Sequence, residues 1–218
     1  MQAEQFFAEI GGVPFIDDAT VQPKTILSAV AMVRRNTEPE AFAKPVDYLD
    51  PENACQIFER HARSTPDDIQ WSPMPAAEQE LVGQAESDIL GWKPEWAPLL
   101  RIPKRYRRMA TSTGSTSVLV PQTIYLGPGA FRDAETLRET LVHEHAHIWL
   151  NFVAEAFDLQ AAEAPRDYTL PSGTSGKTYR GVLSAAHFAA AASRALAVRL
   201  EFAQPGRRHA RVTRLLNK

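Results

Sequence analysis

The feature that most constrains this chain is a pair of histidines inside a strongly patterned helical segment. His143, Glu144 and His147 form an H-E-x-x-H motif, and the apolar spacing around it predicts one long helix from residue 134 to about 159. Residues i and i+4 share a helix face, so both imidazoles can reach one metal ion. His145 is expected to face away from that ion. The motif therefore predicts a metal centre built on this helix.

The residue types favour an enzyme over a cysteine-based structural site. Glu144 follows the first histidine directly, where its carboxylate can reach a metal-bound water without being a ligand. We therefore interpret Glu144 as the catalytic residue of the motif. The chain has a single cysteine, Cys55, which excludes a Cys-rich zinc site and an intramolecular disulfide.

A metal site also needs a third protein ligand, and the second long predicted helix, over residues 179–202, offers one. His187 is its only histidine, and no Asp or Glu lies between Asp167 and Glu201. If the loop 161–177 returns the chain, the two helices pack antiparallel and His187 completes the site. The open alternatives are a core histidine bonded to a backbone carbonyl or carboxylate, and ligation by one of five acidic residues: Glu155, Asp158, Glu163, Asp167 or Glu201.

The pattern of the whole chain predicts a mostly α fold with a small β component. Further helices are expected over residues 23–36, 51–63 and 76–91, and Pro121 within 117–126 indicates an edge strand or two short strands. We expect a single domain, 1–218, with residues 1–105 forming a helical layer around a metal-site core, 106–218. Two long packed helices carry the metal site in this prediction.

Composition limits the classes of partner that this chain is expected to bind. The formal net charge is −2, which gives no reason to expect nucleic acid as a partner. No uninterrupted apolar run approaches the ~20 residues that a bilayer requires, so no membrane partner is expected. The first 16 residues contain acidic but no basic side chains, unlike a secretory signal. The expected compartment is the cytoplasm.

Residues 124–199 resemble the HExxH-type peptide β-hydroxylases. The resemblance rests on the segment 141–147 and on a stretch after a Pro/Gly loop, 177–187, which reads K-T-Y-R-G-V-L-S-A-A-H. It implies an enzyme that uses Fe(II) and 2-oxoglutarate to hydroxylate a side chain of a peptide or protein substrate. The distal carboxylate of such a keto acid needs a cation, and Arg180 is the first candidate, with Lys177 and Arg166 as substitutes.

Two alternatives stay open at the level of sequence. One is a zinc metallopeptidase in which Glu144 acts as general base and the strand 123–126 aligns an extended substrate. The other is a protein with a structural or degenerate metal site. A third histidine ligand favours the oxygenase, whereas a downstream Glu ligand, or a His187 that points away from the pair, favours the peptidase.

Overall fold

The computed structural model describes residues 3–61, 70–160, 164–165 and 167–203. Its helices are α1 (Ala3–Glu9), α2 (Pro23–Thr37), α3 (Pro51–His61), α4 (Ala76–Trp92), α5 (Ala97–Leu100), α6 (Ala134–Ala156) and α7 (Tyr179–Ala203). The strands are β1 (Trp71–Pro73), β2 (Arg105–Met109), β3 (Gly114–Ser117) and β4 (Val120–Leu126). Helices account for 60% of the structure, which confirms the predicted mostly α fold with a small sheet.

Helix α6 carries the histidine pair and lies at the centre of the fold. It begins after Asp133, whose carboxylate caps the helix by accepting the Thr136 backbone N–H at 2.7 Å. Ala146 and Ile148 are both buried although they lie about 160° apart around the helix. Because α6 is covered on several sides, its rotation about its own axis is fixed by packing.

Helix α7 packs along α6, which confirms the predicted pair of long packed helices. Its alanines allow a close approach, and Ala191 is fully buried in the core shared with α6. The segment Tyr179–Glu201 is also the one described helix that is long and apolar enough to cross a membrane by length and composition. Alanine content accounts for much of that apolar character, and the absence of a membrane partner stays a prediction.

The four strands form a mixed sheet in the order β1-β2-β4-β3. Strands β2 and β4 are parallel, whereas β1 pairs antiparallel with β2 and β3 pairs antiparallel with β4. Both sequence alternatives for 117–126 are wrong, because Pro121 lies inside one strand, β4, and this strand is not at the edge of the sheet. Pro121 lies within an inner strand, β4, but before Thr123, where pairing with β2 begins. Its missing N–H therefore costs that ladder nothing.

A buried arginine ties the N-terminal helices to the sheet and to α6. Arg34 of α2 is 1% exposed, and its guanidinium donates to both carboxylate oxygens of Glu155 in α6, at 2.7 and 3.0 Å. It also donates to the Gln122 side-chain oxygen in β4 at 2.6 Å. The Gln122 amide nitrogen in turn donates to the backbone carbonyls of Leu49 and Pro103. This network satisfies a buried charge, which would otherwise be strongly destabilising.

Candidate metal centre

The two motif histidines converge on one point. Their Nε2 atoms are 2.7 Å apart, and the ring planes are inclined at 70°. Two nitrogens bound to one tetrahedral zinc ion at 2.0–2.1 Å would be separated by about 3.3 Å, so the two rings would have to move apart by about 0.6 Å. The donor set of His143 and His147 therefore fits two ligands of one metal ion.

The protonation of the pair also suits metal binding. Burial lowers the pKa of His143 and of His147 to about 4, so both rings are neutral at pH 7, as ligands must be. The Nδ1 atom of His147 lies 2.7 Å from the hydroxyl oxygen of Ser184 in α7. When this Nδ1 carries the proton and donates to Ser184, Nε2 keeps its lone pair for a metal. Phe188 covers the His143 ring, with centroids 3.6 Å apart.

His187 does not join the pair in this structure, contrary to the sequence-based prediction. Its Nε2 atom lies 2.7 Å from the Pro14 carbonyl oxygen, whereas its buried Nδ1 atom has no hydrogen-bond partner among the described residues. His187 is thus a core histidine bonded to one backbone carbonyl, which is the alternative that the sequence left open. Ser184 and Phe188 face the pair from α7, and His187 lies about 100° around the helix from Phe188.

No acidic residue takes the place of His187 beside the histidine pair in the described part of the chain. Within residues 3–61, 70–160, 164–165 and 167–203, no group of three His, Cys, Asp or Glu side chains is arranged to hold a metal. Glu155 is bound to Arg34, and the other described candidates, Asp158, Asp167 and Glu201, are exposed. Glu163 lies outside the described residues.

Glu144 is buried beneath the edge strand β3. It is 3% exposed, and one of its carboxylate oxygens accepts a hydrogen bond from the Thr116 hydroxyl. Burial raises its pKa to about 7, although the bond from Thr116 opposes the shift. Gly114 makes room for this carboxylate, because a Cβ on Gly114 would lie 2.6 Å from Glu144 Oε1 and 2.7 Å from Thr140 Cγ2. A group that titrates near neutral pH next to the histidines is suited to proton transfer.

A cavity with a volume of about 720 Å³ opens over the histidine pair. Its walls come from the end of β3 and the turn after it, residues 116–118, and from α7 with the segment before it. Lys177 and Arg180, the two predicted cofactor-binding residues, both line this cavity. Glu144 is not among the lining residues. The cavity therefore presents two cations, rather than the motif carboxylate, beside the histidines.

The two cations are held differently. The Arg180 guanidinium donates to the Asn151 side-chain oxygen at 3.1 Å, and burial lowers the Arg180 pKa. The backbone of Lys177 is fixed by an isolated bridge to Tyr168. Within the segments that the structure describes, neither side chain forms an ion pair. Arg166, the other substitute, lies outside the described residues.

His145 lies on the opposite side of α6, as its position in the motif predicts. It is fully buried, its Nδ1 atom lies 2.7 Å from the Leu141 carbonyl oxygen, and its Nε2 atom lies 3.5 Å from Glu86. Ser184 and Asn151, by contrast, were missed at the level of sequence. Asn151 continues the helix face of His143 and His147 at the same spacing of four, a signal that the sequence does contain.

Comparison with known proteins adds no family. No family model matches this chain, and no curated protein shows significant similarity to it.

Gly114→Ala tests the close packing of Glu144 against β3. The added methyl group meets the carboxylate and Thr140, so we expect the free energy of unfolding to fall by about 1–3 kcal/mol in urea denaturation. Gly83→Ala in α4 is the matched control, because nothing lies within 4 Å of the added methyl. That variant should gain about 0.5–1 kcal/mol. Equal effects of the two substitutions would contradict the described placement of Glu144.

The histidine pair should also give the metal-free protein a characteristic pH dependence. The unfolded chain protonates each ring near 6.5, but the folded chain does so only near 4. Between these values the unfolded state binds more protons, so the free energy of unfolding falls as the pH is lowered. Glu144, whose pKa is raised to about 7, contributes with the opposite sign.

A double variant, His143→Gln with His147→Gln, isolates the histidine contribution. The slope of its free energy of unfolding against pH should be smaller than that of the natural chain. Near pH 5 the difference should correspond to about two fewer protons taken up on unfolding. Urea denaturation between pH 4.5 and 8, with chelator present, measures this difference. An unchanged slope would mean that the two rings are not buried as neutral groups.

Proposed function

We propose that this chain is a metal-dependent enzyme that acts on an extended peptide, and that it is an iron and 2-oxoglutarate oxygenase that hydroxylates a peptide side chain. The observation that carries the proposal is the shared cavity. Lys177 and Arg180 line the same space as the converging Nε2 atoms of His143 and His147.

The two cations supply what a keto acid co-substrate needs. Bound Fe(II) would provide the oxygen chemistry, and the co-substrate requires open coordination positions on it. A guanidinium binds a carboxylate through two parallel hydrogen bonds, so Arg180 is the residue suited to the distal carboxylate, with Lys177 as a second charge. Two histidines with few further protein ligands leave such positions open. A water-activating base on the cavity wall is not needed for this reaction, consistent with the burial of Glu144.

A peptide substrate is supported by the edge of the sheet. Strand β3 is the last strand of the order β1-β2-β4-β3, and residues 116–118 line the cavity. An extended peptide can add to such an edge through main-chain hydrogen bonds. The strand 123–126, expected to align the substrate, belongs to β4 and lies inside the sheet, so β3 takes this role in the proposal.

A zinc metallopeptidase is the second candidate, and two observations favour it. Glu144 has a pKa raised to about 7, which suits a general base at neutral pH. His187 is bonded to the Pro14 carbonyl rather than placed with the pair, which favours the peptidase by the criterion drawn from the sequence. The oxygenase stays the first proposal because two cations, Lys177 and Arg180, line the cavity and Glu144 does not. A peptide on β3 serves this reaction as well.

Anaerobic titration tests the oxygenase. Fe(II)-loaded protein should develop a visible charge-transfer band when 2-oxoglutarate is added, since the keto acid then binds the metal. Arg180→Ala should retain Fe(II) but weaken 2-oxoglutarate binding at least about tenfold, because a charge-assisted bidentate contact is lost. Arg194→Ala is the control, an exposed arginine of the same helix that pairs with Asp18. Failure of the natural chain to give the band would reject the oxygenase.

Glu144→Gln tests the peptidase. The zinc-loaded variant should retain its metal, because the residue is not a ligand, but lose hydrolysis of unstructured peptides by at least about 100-fold. Glu139→Gln, at an exposed position of the same helix, should retain full activity. Hydrolysis that survives in Glu144→Gln, or zinc lost from it, would exclude the assigned role.

A further inference from the structure

A second cavity, of about 230 Å³, lies directly beside the cavity over the histidine pair, which we call the metal cavity. The two share the lining segment 116–118 and the side chains of Asn151 and Arg180. The hydrogen bond from Arg180 to Asn151 forms the partition between them. We call this second space the side cavity. Neither histidine of the pair nor Lys177 lines it, and Arg180 is the one residue assigned to the co-substrate that it shares.

The spacing along α6 relates the side cavity to the metal pair. His147, Asn151 and Glu155 follow one another at intervals of four on one helix face, with about 6 Å of axial rise per interval. Asn151 and Glu155 both line the side cavity, which therefore extends from about 6 to about 12 Å along the helix from His147. In an extended peptide, side chains i and i+2 lie on one face, about 6.5–7 Å apart. A peptide on β3 whose residue i reacts at the histidines would thus direct residue i+2 or i−2 into the side cavity.

The residues that line the side cavity favour binding of an aromatic side chain. Phe58, Phe152 and Pro121 supply apolar surface, and the Arg34 guanidinium lies 5.9 and 5.7 Å from the two phenylalanine rings. The base is formed by Arg34 and Glu155, whose charges cancel. Apolar walls with a few polar groups at one end are typical of pockets that bind an aromatic side chain.

The charge balance of the lining disfavours a basic occupant. Arg34 and Arg180 contribute two positive charges, against one negative charge from Glu155. The Glu155 oxygens each accept one hydrogen bond from Arg34, which leaves further lone pairs for a donor. An acidic side chain would lie beside the Glu155 carboxylate, and Arg34 is already paired with that carboxylate. A phenol O–H or an indole N–H matches the Glu155 acceptor without adding a charge.

We propose that the side cavity is a specificity subsite for a tyrosine or tryptophan side chain of the substrate, two residues from the one that reacts. The proposal rests on the proposed function for two statements, that the substrate is a peptide and that its reacting residue lies at the histidine pair. The preference for a neutral ring with a donor belongs to the cavity itself, and can be tested without metal, co-substrate or turnover.

Side-chain analogues are the probes for this test. The metal-free protein, labelled with ¹³C in isoleucine methyl groups, is titrated separately with p-cresol, 3-methylindole, n-butylammonium and propionate. Ile148 lines the side cavity, whereas Ile26 is buried in the core and does not. We expect p-cresol and 3-methylindole to shift the Ile148 methyl signal saturably and to leave that of Ile26 unchanged, and the two charged analogues to bind at least tenfold more weakly.

Two variants assign the binding to the side cavity. Ala154→Leu adds volume to its lining, and Phe58→Leu removes a ring; each should weaken p-cresol binding at least tenfold. Ala189→Leu, at an exposed position of α7, is the matched control and should bind like the natural chain. The subsite is rejected if Ile148 does not respond, if a charged analogue binds as well as p-cresol, or if both cavity variants retain full binding. A failure of the metal or co-substrate titrations alone would instead reject the proposed function.

Discussion

The burial of α6 is the constraint on which the rest of the structure depends. The sheet, α7 and the N-terminal helices all pack against this one helix, so its apolar residues are covered on several sides. A helix that is covered in this way cannot rotate, because every rotation would expose apolar surface and leave cavities behind. The direction of His143 and His147 is therefore fixed by the core rather than by the site itself. The histidine pair is thus carried by a helix that the surrounding core holds in one orientation.

Burial also sets the chemistry of the polar groups on α6. The same loss of water that lowers the histidine pKa values raises that of Glu144, because each shift disfavours a charged form. Neutral imidazoles and a carboxyl that titrates near pH 7 thus follow from one cause. Arg34 differs, because it stays charged although it is buried. Its charge is compensated by the ion pair with Glu155 and by the hydrogen bond to Gln122. That ion pair also forms the base of the side cavity, so one network serves both packing and the proposed recognition.

The proposed peptide surface combines three features, which are the two cations of the metal cavity, the edge strand β3 and the side cavity. Strand β3 offers an open backbone edge, and the face of α6 behind it carries His147, Asn151 and Glu155 at equal spacing. Lys177 and Arg180 approach from the other side of the metal cavity. In the proposed function, the substrate lies between a strand that aligns its backbone and a helix whose successive turns meet alternate side chains. The oxygenase and the peptidase differ in what occupies the metal, not in this arrangement.

Much of this architecture could be predicted from the sequence, because it depends on local patterns. The i, i+4 spacing brought His143 and His147 together, and apolar periodicity located α2, α4, α6 and α7 to within a few residues. Which residue of α7 meets the histidine pair could not be predicted in this way. Periodicity predicted that Ser184 and His187 both lie on α7. It could not predict which of them faces α6, because successive residues are about 100° apart around a helix. Packing of the alanine-rich face against α6 made that choice: it brought the Ser184 hydroxyl to His147 and directed the His187 imidazole to the Pro14 carbonyl. Local sequence thus determined which groups are available, and tertiary packing decided which of them meet.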